Sequence, residues 1–119
     1  MAEMRNLARR FRADDTIANN SRLRLLPNPL LRYEAPASGI IDGALFVMVN
    51  GTDPEVTVQI EAREDIKTQQ RHYYWALSPI TTYELTAYME DRKVWHVKST
   101  RPTGGRDVFH PHELSVSIE

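Results

Sequence analysis

From Glu55 to Arg63 the chain alternates without a break. Val56, Val58, Ile60 and Ala62 stand against Glu55, Thr57, Gln59, Glu61 and Arg63. Successive side chains of a pleated strand point to opposite faces, so a period of two with one apolar side predicts a half-buried strand. Wound as a helix, the same residues would spread their apolar groups around the whole circumference. Removing Val56, Val58 and Ile60 from water is worth on the order of 5–8 kcal/mol, an upper figure because the unfolded chain already hides part of its surface.

The preceding segment, Ala44 to Val49, is apolar at every position. A strand apolar on both faces is covered on both faces, so it is expected in the middle of a sheet. Between the two lie Asn50, Gly51, Thr52, Asp53 and Pro54. This composition predicts a hairpin closed by a bulged or longer loop rather than a two-residue turn. Turn chemistry accounts for Asp53 and Glu55 better than an exposed acidic pair for a cation does.

Further strands follow from the same periodicity. Arg22 to Leu26 turns Leu23 and Leu25 inward before Pro27 and Pro29 interrupt the ladder, and Leu30 to Tyr33 resumes as an edge strand. Asp42-Gly43 is a turn or bulge candidate. Glu64 to Arg71 is a polar connection. His72 to Leu77 places Tyr73, Trp75 and Leu77 on one face. Thr81 to Met89 fits a strand through Tyr83, Leu85, Ala87 and Met89, although Ser78-Pro79 would also suit a helix start. Glu90 to Lys93 is a hairpin turn, after which Trp95 and Val97 face inward. Residues 100–107 form a loop, and Leu114, Val116 and Ile118 alternate in a last strand. About seven short strands separated by turn clusters predict an all-β fold. An antiparallel β-sandwich is the favoured architecture and a small β-barrel the second.

Ahead of these strands, Met4, Leu7, Ala8 and Phe11 recur at helical spacing. They predict a short amphipathic helix over residues 1–11, which packs on the sheet or a neighbour, stays frayed or disordered, or binds an acidic surface, lipid or nucleic acid. Asp14 to Ser21 reads as a linker. The expected organisation is a helical leader and linker over 1–21 and a single antiparallel β-domain over 22–119.

At 119 residues the chain has room for one domain with a real core. It has no cysteine, which excludes disulfides, thiolate metal sites and a cysteine nucleophile. The net charge of −1 gives the whole molecule no pull toward nucleic acid. No apolar run reaches the roughly 20 residues of a membrane-spanning helix, and residues 1–15 lack the apolar stretch of a secretion signal. The expected location is therefore the cytoplasm.

Candidate chemistry is sparse. His110, His112 and Glu113, with Asp107 upstream, are the best metal candidates, because neutral imidazoles two apart on a strand share a face and suit zinc. His72 and His96 would join them if their strands were neighbours. A solvated histidine-rich loop is the plainer alternative. Tyr74 and Tyr88 fall on the more polar sides of their strands and are the candidates for stacking on a ligand, whereas Trp75 and Trp95 read as core. Arg101 and Arg106 flank Gly104-Gly105 and could hold an anion. Glu61, Glu64 and Asp65 carry no mark of an acid with a raised pKa, and no serine elbow or phosphate-cradling glycine loop is present. No catalytic residue is assigned. The function expected first is a non-enzymatic module that binds a protein partner or assembles with itself. A metal-dependent hydrolase using His110, His112 and Glu113, and a carbohydrate-binding module using surface aromatics, are the alternatives.

Overall fold

A computed structural model describes residues 2–15, 21–81, 83–98 and 112–114, of which 2, 21 and 112–114 are described by their backbone. A short helix, α1 (Ala2–Ala8), comes first. It is followed by β1 (Phe11–Asp15), β2 (Ser21–Arg22), β3 (Arg24–Leu25) and β4 (Leu31–Ala35). After a turn of 3₁₀ helix come β5 (Ile40–Asn50), β6 (Asp53–Glu64), β7 (Arg71–Pro79), β8 (Leu85–Met89), β9 (Arg92–Val97) and β10 (His112–Leu114). All pairings are antiparallel. The smaller sheet runs β2-β1-β8-β9. The larger runs β10-β7-β6-β5-β3, with β4 lying beside β5 as well. The chain is all-β, an antiparallel sandwich with a short N-terminal helix.

The predicted hairpin is the spine of the larger sheet. Phe46 stands opposite Val58 and Val58 opposite Leu77, while Ala44, Ile60 and Trp75 form the next row. These residues are buried against Phe11 and Ala13 of β1 and Leu85 and Ala87 of β8. Trp75 stacks at a tilt on Phe11, with ring centroids 5.1 Å apart. Val47 and Val49 are buried on the opposite face of β5, as an all-apolar strand requires. The chain changes sheets at Leu23. Its N–H donates to the Ala13 carbonyl of the smaller sheet at 2.8 Å, and three residues later the Leu26 N–H donates to the Val47 carbonyl of the larger at 3.0 Å.

Several boundaries differ from expectation. The helix stops at Ala8 rather than Phe11, because Phe11, Ala13 and Asp15 alternate into the core once β8 offers them a ladder. Met4, Leu7 and Ala8 are buried, so the helix packs on the larger sheet. Of the expected linker, Asp14 and Asp15 belong to β1 and Ser21 to β2, and 16–20 lie outside the described residues. The central hairpin closes over Gly51-Thr52 alone, with Gly51 at φ +65° and Asn50 opposite Asp53. The longer loop is unnecessary because the extra residue is taken up as a bulge, where Val49 faces Pro54 and Met48 faces Val56. That bulge resets the alternation and turns Glu55 out of water, so Glu55 is not part of an exposed acidic pair. β8 begins only at Leu85, and Tyr83, expected inward, is exposed. The expected loop over 100–107 and residues 115–119 of the last strand lie outside the described residues.

Candidate functional site

β4 sits at the rim of the larger sheet. It has β5 on one side and, among the described residues, no strand on the other. Tyr33 anchors it. In register Tyr33 lies opposite Gly43, and its ring crosses β5 where that glycine leaves room. A Cβ on Gly43 would come within 2.3 Å of the Tyr33 ring, so the close approach needs a residue without a side chain. Reaching across, the Tyr33 hydroxyl donates to Glu61 Oε2 at 2.6 Å. Gln59 Nε2 donates to the same carboxylate oxygen at 3.1 Å and also to the Tyr33 hydroxyl. Arg63 closes the cluster, with Nε and Nη2 donating to Glu61 Oε1 at 3.1 and 2.7 Å. Burial, and then the bond to the Glu61 carboxylate, push the Tyr33 hydroxyl up to about 12. The tyrosine is therefore a donor and not a base at neutral pH. The alternation correctly put Gln59, Glu61 and Arg63 on one face. It did not show that Tyr33 would lie over them and leave Glu61 only 8% exposed.

The edge that Tyr33 fastens exposes two leucines beside its charged residues. Leu30 is 63% exposed and Leu31 50%. Arg32 on the same strand pairs with Asp42 at 2.6 Å. Pro29 precedes the strand and Pro36 follows it directly. Sequence reasoning identified the edge strand but not this exposure. Its signal was two adjacent leucines in a segment whose neighbouring prolines forbid a longer ladder.

A second polar feature lies between the sheets. Asp15, at the end of β1, and Glu55, at the bulge of β6, are each 1% exposed and share a hydrogen bond. Two carboxyl groups can share one only if one of them keeps its proton. Burial first, then the bond to Asp15 and the negative charges of Asp15 and Asp53, raise Glu55 to about 8.

The residues singled out from sequence fall in different places. Tyr74 lies on the outer face of the larger sheet beneath the Arg63 guanidinium, whose Cζ is 4.6 Å from the ring centroid. Tyr88 lies on the smaller sheet beneath Arg12, at 4.2 Å. An arginine thus already covers one face of each ring. His72 and His96 are on different sheets, and His96 Nε2 contacts Glu84 Oε2 at 2.7 Å. The backbone of His112 lies opposite Trp75 and that of Glu113 opposite Tyr74. Arg101, Arg106, Asp107 and His110 lie outside the described residues. Among the described residues no three His, Asp or Glu side chains are grouped to hold a metal ion. Asp65, considered for catalysis, instead accepts the Lys67 and Thr68 N–H groups at 2.8 and 3.2 Å and shapes the β6–β7 turn. Among the described residues no helix is long and apolar enough to cross a membrane. No protein-family model, curated protein or solved structure matches this chain, so the site stands on its own geometry.

Proposed function

We propose that this chain is a non-enzymatic β-sandwich module that binds a protein partner, or a second copy of itself, along the outer edge of β4. The observation that carries the proposal is the contrast between two sheet edges. β9, at the rim of the smaller sheet, carries exposed Arg92 and Lys93 and a register shift opposite Ala87/Tyr88. Charge and irregularity are the usual means of keeping an edge from pairing with another chain. β4 carries exposed charges as well, but as one pair of opposite sign, Arg32 and Glu34, and it adds exposed Leu31 with Leu30 beside it. An added strand would gain main-chain hydrogen bonds and cover both leucines, which is recognition by strand addition. A core closed without cysteine needs no oxidising compartment, and we place the module in the cytoplasm.

Leu31→Lys tests the proposal, since it adds an edge charge at a half-exposed position where folding has little to lose. Wild-type chain and variant, matched in melting temperature, are purified from the same cells. Loss of the associated protein, whether another chain or a second copy, is the expected outcome. An unchanged set of associated proteins, or none with either chain, defeats the proposal.

A further inference from the structure

β4 reads Leu31-Arg32-Tyr33-Glu34-Ala35, with opposite charges placed symmetrically about Tyr33. We propose that the partner at this edge is a second copy of the chain, joined by antiparallel pairing of β4 with β4 around a twofold axis through Tyr33. The inference rests on the protein-binding edge proposed above and names its occupant.

In this register Arg32 of each copy faces Glu34 of the other, Leu31 faces Ala35, and Tyr33 faces Tyr33. Directly opposed residues of an antiparallel pair lie close on one face, so each dimer gains two cross-strand ion pairs. The neighbouring symmetric registers are disfavoured. Centring the pair on Arg32 sets arginine against arginine, and centring it on Glu34 sets carboxylate against carboxylate. Arg32 and Glu34 are both exposed and so available for the pairing. Arg32 also bonds Asp42 of β5 through Nε and Nη2, at 3.3 and 2.6 Å, so in the dimer its guanidinium is shared between Asp42 and the partner's Glu34.

Length is limited as well. Pro36 follows Ala35 directly and Pro29 lies two residues before Leu31, and neither has an N–H to extend a ladder. Pairing therefore stops at five residues per copy. A twofold contact uses the same patch on both copies and closes on itself, so it yields a dimer and not a filament. Tyr33 supplies the rigidity, because its bond to Glu61 fixes β4 before any partner arrives.

Charge reversal provides the test, read by sedimentation equilibrium on the full chain. The wild type is expected to dimerise. Glu34→Arg sets Arg32 against an arginine twice per dimer and should weaken association roughly tenfold or more. Arg32→Glu should do the same, with its melting temperature followed because it also loses Asp42. Mixing the two single variants restores both opposite-charge pairs and should return dimers, as should the double variant Arg32→Glu/Glu34→Arg. A wild type that stays monomeric when concentrated, or a dimer indifferent to both reversals, overturns the proposal. A photo-crosslinking residue in place of Leu31 separates this inference from the broader one. Cross-linking to Ala35 of a second copy supports self-pairing. Cross-links only to other proteins overturn self-pairing and leave the protein-binding edge standing, and cross-links to no protein overturn both.

Discussion

Glu55 and Glu61 lie on the same strand, and both are largely out of water, but their surroundings are opposite. Glu61, on the outer face of the larger sheet, is met by Tyr33, Gln59 and Arg63, so each carboxylate oxygen has a donor. Glu55, between the sheets, meets another carboxyl, and among the described residues its Oε1 has no hydrogen-bond partner. Removing a carboxylate from water costs free energy that must be recovered through donors or avoided by keeping the proton. The outer face takes the first course and the interior takes the second. The difference shows that alternation in a strand sets which face a residue shares. Whether that face is wet depends on what lies over it.

The largest expected effect breaks this comparison through pH. Unfolded, Glu55 titrates near its ordinary 4.5, and folded it titrates at about 8. Between those values the native state holds a proton that the unfolded state has lost, so stability falls as pH rises. The contribution is whole below about 4.5 and gone above about 8, a change on the order of 5 kcal/mol. A melting-temperature series from mildly acidic to mildly alkaline pH should slope downward, and Glu55→Gln, which keeps a donor for Asp15, should flatten it. An equal slope in the variant would mean that the pair does not hold the proton.

Next in size is Gly43→Ala. The added methyl meets the Tyr33 ring 2.3 Å away, and the ring must leave the sheet. Overpacking of this kind costs about 1–3 kcal/mol. Denaturant melts should register it, and hydrogen exchange should rise in β4 ahead of β6. Protection spread unchanged over β4 would argue that Tyr33 does not fasten the edge. Tyr33→Phe is the mildest change. It removes the hydroxyl but leaves the ring on Gly43, for a loss of about 1 kcal/mol. Because Glu61 keeps Gln59 and Arg63, this loss should stay the same across the pH range in which Glu55 titrates, which sharpens the contrast between the two carboxyl sites.

Much of this architecture was legible in the chain. The run from Val56 to Ala62 could bury its apolar groups only as a strand, and the all-apolar stretch 44–49 could lie only inside a sheet. Trp75 stood on an apolar face and is in the core. The edge strand at Leu30 to Tyr33 was marked by its prolines. The candidate site was less legible, because its parts lie far apart in sequence and touch only across strands. Tyr33 gave no sign that it would reach Glu61, since that contact depends on β4 taking the rim beside β5 and on Gly43 being the residue crossed. Asp15 looked like the start of a linker, and its burial became visible only with β8 beside it.

By itself the sequence determined that strands would form and which side of each would shun water, because that choice is made within a few residues by side-chain alternation. It also determined where ladders must stop, since proline lacks a donor wherever it stands. Only the tertiary structure decided which strands became neighbours, and with that which polar groups met donors, which met another carboxyl, and which edge has no strand beside it among the described residues. Those outcomes depend on contacts between residues distant in the chain, and a one-residue bulge such as that at Glu55 is enough to redirect them.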